Sequence, residues 1–146
     1  QPSDPAPELR VSIAAWRDGA GAPNLLEPVD LDVTAATWPV SRAAAVFSAN
    51  MIHIAPWDCC LGLMAGAGRV LTATGMLFLY GPFLVAGRPT APSNFMFDES
   101  LKARDPAWGI RRLADVAGAA ADQGLELADT VDMPANNLIV LFRRKE

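Results

Sequence analysis

Histidine and cysteine are scarce in this chain of 146 residues, which has one histidine, His53, and two cysteines, Cys59 and Cys60. Adjacent cysteines rarely close on each other, and one imidazole adds too little to complete a zinc-type ligand set. A disulfide scaffold and a structural metal centre are therefore excluded, and the cysteines read as two reduced thiols on a helix of a cytoplasmic protein. Charge is also sparse: 19% of residues are charged, the net charge is -4, and the basic residues are scattered. A protein that tracks nucleic-acid phosphates needs a basic stripe, so nucleic acid is not an expected partner. No uninterrupted apolar run approaches the roughly 20 residues that span a bilayer. The longest apolar stretch, "GMLFLYGPFLVAG", is broken by Gly and Pro, and no membrane partner is expected. The opening "QPSDPAPEL" lacks the charged head and apolar middle of a signal peptide. Gln1 in place of Met suggests a chain that begins inside a longer protein.

What is present is apolar side chain, 51% of the sequence, enough for one domain over residues 1–146 with a real core. Ser3 or Asp4 offers an N-cap, prolines follow, and Leu9, Ile13 and Trp16 recur at helical spacing, which predicts a helix from about Pro7 to Trp16. "LLEPVDLDV" reads as a short strand ending at Asp32, and "AATWPVSR" as a turn or short helix. "AAAVFSANMIHI" is apolar without alternation, as in a central parallel strand covered on both faces. A helix from Trp57 to Arg69, a turn at "TATG" and a buried strand "MLFLYG" follow. Residues 82–111 form a long polar excursion of the kind that serves function, here a lid. A helix from about Ile110 to Gln123 ends at Gly124, and "LELADTVDMP" with "NNLIVLFRR" predicts an antiparallel pair.

Strand–helix alternation closed by a hairpin implies an α/β fold, a doubly wound parallel sheet with an antiparallel last strand. That is the Rossmann-like sheet of class I S-adenosylmethionine-dependent methyltransferases. "NMIHIAPW", "LYGPF", "TAPSN", "FDESLKARDPAWGIR" and "MPANNL" together resemble the methyltransferase-like protein 26 family, also described as domain of unknown function 938, over essentially the whole chain. The resemblance implies S-adenosylmethionine as cofactor and methyl transfer to a small molecule. In that family the glycine-rich cofactor loop and its strand lie upstream of "QPSD"; here "DGAGA" and "GAGR" do not follow a buried strand. The sheet is thus expected to be N-terminally incomplete. Arg88-Pro89-Thr90 stands where the family commonly has Arg-His-Thr, and Ala73-Thr74-Gly75 replaces the usual Pro-Gly.

Ligands of such sheets bind outside the carboxyl ends of the strands. The resemblance assigns Asp4 to the ribose hydroxyls, Asp32 to the adenine amino group, Val33 to the adenine face, and Asn50 with Met51 to the methionine end. Asp4 also serves as an N-cap, and Asp32 as a turn former. His53 is either a general base or a satisfied core histidine. Trp57 is expected over the cofactor or a neighbouring helix, and Tyr80 presents the only tyrosine hydroxyl at the same rim. For the substrate, the lid offers Arg88, Thr90, Ser93, Asn94, Asp98, Arg104, Asp105, Trp108 and Arg111; internal ion pairing of Arg104, Asp105 and Arg111 is the competing role. Asn136 and Asn137 sit at a sharp bend, as turn formers or substrate contacts.

The first alternative to an enzyme is a cofactor-blind remnant or binding module. A nicotinamide oxidoreductase shares the sheet type, but the closing hairpin argues against it. An open sheet edge would favour a homodimer or aggregation and poor cofactor binding by this chain alone.

Overall fold

The structure is a computed structural model that describes residues 1–145. Helix α1, Pro7–Ala20, starts where Asp4 Oδ1 accepts the Ala6 N–H at 2.8 Å and Pro7 fixes the first turn. It runs past the expected end at Trp16, through Gly19, and stops at Gly21, whose left-handed φ of 59° lets its N–H reach Arg17 O at 3.2 Å. The helix buries none of its side chains, and Leu9, Val11 and Trp16 are exposed.

The expected strand "LLEPVDLDV" reduces to one parallel bridge, Ser3 with Val29. Pro28 has no N–H to extend a ladder beside it. Strand β1, Ala43–Ala49, leads into a single turn of 3-10 helix at Met51–His53, then helix α2, Trp57–Val70. Strand β2, Leu71–Gly81, follows with no loop between. The expected turn at 72–75 is a ladder defect instead, since Ala43 pairs with Leu71 but Ala45 already pairs with Met76.

Residues 82–111 contain a helix the sequence reading missed, α3, Pro92–Arg104. Helix α4, Leu113–Ala121, starts later and stops earlier than expected, with Gly124 left-handed at φ 70° just beyond it. Strands β3, Leu125–Met133, and β4, Asn137–Arg144, form the expected hairpin.

The four strands lie in the order β1-β2-β4-β3. β1 and β2 are parallel, and β4 is inserted antiparallel to both of its neighbours. In this sheet β1 is an edge, which differs from the expected central position: among the described residues it is laddered with β2 alone, and Phe47 is 66% exposed. The core gathers Leu77 and Leu79 of β2 and Leu138, Val140 and Phe142 of β4. Leu63, Met64 and Ala67 of α2 and Val116 and Ala120 of α4 cover them. This packing fixes the carboxyl ends of β1 and β2 against each other.

Candidate functional site

The β1–β2 ladder ends on the pair Ala49–Tyr80, and one further hydrogen bond, Asn50 N–H to Tyr80 O at 2.8 Å, holds the next residue at the rim. Asn50 takes the left-handed conformation, φ 58°, which an asparagine tolerates better than most residues. The turn it starts delivers His53 to the interior. The His53 side chain is 0% exposed and meets Phe83 edge to face, with ring centroids 5.0 Å apart.

Two backbone groups of the long excursion hold His53. Gly109 N–H donates to its carbonyl at 2.9 Å, and Arg111 N–H donates to Nδ1 at 3.2 Å. A neutral imidazole that accepts at Nδ1 carries its proton on Nε2. Burial, aided by the Arg111 charge, pushes the His53 pKa down to about 4, so the ring stays neutral near pH 7. Its other nitrogen, Nε2, is buried without a hydrogen-bond partner among the described residues, so of the two roles expected of His53 its burial favours the core one.

The Arg111 guanidinium is anchored in the same junction. It donates to the carbonyls of Ile52 at 2.8 Å, Ala55 at 2.7 Å and Ala107 at 2.8 Å, and lies 5.7 Å from the Trp57 ring centroid. Arg111 thus clamps the junction through Nε and Nη2, and with Trp57, Ile110, Arg112 and Asp115 it lines a separate cavity of about 380 Å³. Asp98 of α3 supports the segment by accepting Ile110 N–H at 2.7 Å, and it also pairs with Lys102.

Tyr80 Oη accepts from Asn137 Nδ2 at 3.1 Å, and the same amide reaches Pro134 O at 3.2 Å. Ala135 and Asn136 are both left-handed, which makes the β3–β4 bend sharp. This bend is tied to the start of α3: Asn94 Nδ2 donates to Asn136 O at 3.1 Å, and Asn136 Nδ2 to Ser93 Oγ at 3.3 Å. An exposed ion pair, Arg88 with Asp132 at 2.7 Å, adds a second tie. Between these ties lies a pocket of about 220 Å³, lined by Phe83, Val85, Arg88, Thr90, Met133, Asn136 and Asn137 among others. Four of the expected substrate residues, Arg88, Thr90, Asn136 and Asn137, are brought together there. Ser93 and Asn94 support it from outside. Arg104 lies exposed and Trp108 half-buried in the last turn of α3 and the turn after it, and neither lines the pocket. Asp105 caps its own turn by accepting Ala107 N–H at 2.8 Å.

A larger cavity of about 570 Å³ runs along the open edge of β1. Every residue of β1 lines it, with Ser3, Asp4, Leu31, Val33, Trp38 and Met51 among its other walls. Asp4, Val33 and Met51 therefore share one space. Asp32 does not join them: Thr34 Oγ1 and N–H bind its Oδ1 at 2.7 and 2.8 Å and hold the carboxyl below its usual range. It is a turn former here.

Two glycines of α2, Gly62 and the Gly66 that opens "GAGR", have a packing role. A Cβ on Gly66 would fall 1.8 Å from the Trp38 ring, and one on Gly62 would fall 2.6 Å from Val33 O. Their absent side chains let the Val33–Trp38 segment, closed by Trp38 Nε1–H to Val33 O at 3.3 Å, lie directly on the helix. Cys59 and Cys60 of α2 are free thiols, and burial raises both, that of Cys60 to about 12. Among the described residues, no helix is long and apolar enough to cross a membrane.

The same arrangement of strands and helices occurs in solved structures. The mitomycin 7-O-methyltransferase MmcR is similar at a TM-score of 0.82 and 17% identity, over 94% of this chain and 40% of its own. An O-methyltransferase family 2 protein from Planctomyces limnophilus DSM 3776, in complex with apigenin, gives 0.81 and 20%, over 94% and 40%. LepI in complex with SAM gives 0.76 and 15%, over 98% and 35%. This chain thus spans well under half the length of these structures. At these identities the likeness is one of fold, the Rossmann-like sheet of class I methyltransferase type. Residues 1–144 match the model of a family described as "Protein of unknown function (DUF938)", and the chain belongs to that family.

Proposed function

We propose that this chain is the cofactor- and acceptor-facing part of an S-adenosylmethionine-dependent methyltransferase acting on a small molecule, as its resemblance to the methyltransferase-like protein 26 family implies. The supporting observation is the β1-β2-β4-β3 order with β4 antiparallel, which brings Asn50 and Tyr80 to one rim beside a cavity holding Asp4, Val33 and Met51.

The residues present suit the cofactor. Asp4 uses only Oδ1 for the Ala6 N–H, which leaves its second oxygen for a ribose hydroxyl, while Val33 and Met51 supply apolar walls for adenine. Bound there, the cofactor supplies a methyl group on a sulfonium. The chain's own part is to place the acceptor in line and to exclude water. The pocket under the α3–hairpin ties suits that acceptor, because Phe83 forms part of its wall and touches His53. The Arg88–Asp132 pair neutralises its mouth, which favours an uncharged molecule. The unprotected edge of β1 favours self-association, and the free thiols suit a reducing cytoplasm.

Asp4→Ala in the natural full-length polypeptide is expected to weaken S-adenosylmethionine binding about tenfold, the loss of a charge-assisted hydrogen bond of roughly 1.5 kcal/mol. Titration calorimetry on both proteins reads this directly. Equal affinities would remove Asp4 from the site, and no saturable heat from the unaltered protein would sink the reading.

A further inference from the structure

Arg111 is half-buried, yet among the described residues it makes no ion pair. Its three side-chain hydrogen bonds use Nε and Nη2 and end on neutral carbonyls, which fix the guanidinium in place without balancing its charge. Nη1 makes no hydrogen bond among the described residues. A cation drawn part-way out of water costs free energy unless a counter-charge is near.

The cavity beside Arg111 offers the place for that counter-charge. Trp57 enters it from the first turn of α2, Ile110 and Arg112 from the end of the excursion, and Asp115 from the first turn of α4. Arg112 Nε and Asp115 Oδ2 lie 4.0 Å apart, beyond hydrogen-bond reach, and both side chains are exposed. Neither is committed to the other. Two arginines and one aspartate leave the walls with one positive charge, and Trp57 and Ile110 add apolar surface. Asp58, next to Trp57, is exposed and does not line the cavity. None of the five lining residues belongs to the cavity beside β1 or to the pocket at the β3–β4 bend.

We propose that this cavity is a second ligand site, which takes a small molecule through its carboxylate, with Arg111 Nη1 and the Arg112 guanidinium as donors and Trp57 as an apolar wall. The guanidinium fork suits a planar carboxylate. Arg111 is already held still, so little side-chain freedom is lost on binding. One negative charge matches the one positive charge of the walls, and a second would face Asp115, which favours a carboxylate over a phosphate. The site does not depend on the methyltransferase reading.

The test uses nitrogen-15 spectra of the natural full-length protein, titrated with sodium benzoate at an ionic strength held constant with sodium chloride. Benzoate is expected to give saturable shifts at the Trp57 indole N–H and at the backbone amides of Ile110, Arg112 and Asp115, and chloride alone to give none. Two variants at exposed positions move the affinity in opposite directions. Arg112→Ala should weaken benzoate about threefold to fivefold, and Asp115→Asn should strengthen it by about the same factor, the range of solvent-exposed charge pairs. Opposite signs cannot come from a general loss of structure. No saturable shift at these signals, or shifts centred on Arg88 and Asn137, would overturn the site. Weaker binding by Asp115→Asn would overturn its electrostatic basis. Sodium phosphate completes the test: tighter binding than benzoate overturns the carboxylate assignment, and weaker binding supports it.

Discussion

Replacing Phe142 with alanine is expected to cost about 3–5 kcal/mol of unfolding free energy, the range for removing a buried aromatic side chain without collapse of the site. Phe142 lies in β4, the strand enclosed by β2 and β3, and pairs with Leu77 on one side and Leu127 on the other. It is fully buried and the largest of the fully buried side chains. Because β4 has ladder partners on both edges, it cannot shift sideways to fill the hole. Urea titration followed by circular dichroism measures the loss. The same change should loosen the rim, because β4 pairs Ile139 with Tyr80 and so supports the residue that Asn137 also holds. A cost below 1 kcal/mol would mean that β4 is not the centre of the core.

The second large effect is acid lability. His53 has an ordinary value of 6.5 and a folded value of about 4, because burial disfavours the charged ring and Arg111 adds repulsion. The unfolded chain therefore takes up a proton first as pH falls. Stability is complete above about pH 6.5 and declines as pH drops toward 4. At roughly 1.4 kcal/mol per pH unit, the loss reaches about 2 kcal/mol at pH 5 and about 3 kcal/mol at pH 4. Melts between pH 7.5 and 5 test this best, since carboxylates contribute more below that range. His53→Gln should be less stable at pH 7.5 yet nearly flat between 6.5 and 5. A wild-type curve already flat in that window, or an equal slope in the variant, would contradict the burial of a neutral imidazole.

The sequence yielded those elements whose burial is decided locally. "MLFLYG" and the final hairpin are apolar runs bounded by turn residues, and both stand where expected, including the antiparallel insertion of β4. Helix α3 escaped notice because it buries only Leu101, so "PSNFMFDESLKAR" shows no apolar stripe. Its available signals were Pro92 in the first turn and the Asp98–Lys102 pair one turn apart. β1 looked central because its residues are apolar, but position in a sheet is decided by neighbours and not by composition. The candidate site divides the same way. Asn50 and Tyr80 were legible as the ends of two strands. The His53 tautomer was not, because the N–H that sets it belongs to Arg111, 58 residues away. The packing role of Gly66 depends on Trp38 across the fold, and no spacing along the chain signals it.

Where S-adenosylmethionine contacts this chain is the central question of its function. Backbone amide shifts of the full-length polypeptide, recorded at increasing cofactor concentration, locate that contact residue by residue. The expected map is centred on Asp4, Val33, Asn50 and Met51, around the cavity beside β1 and the rim it leads to. Shifts confined to the pocket at the β3–β4 bend, or none at saturating cofactor, would contradict it.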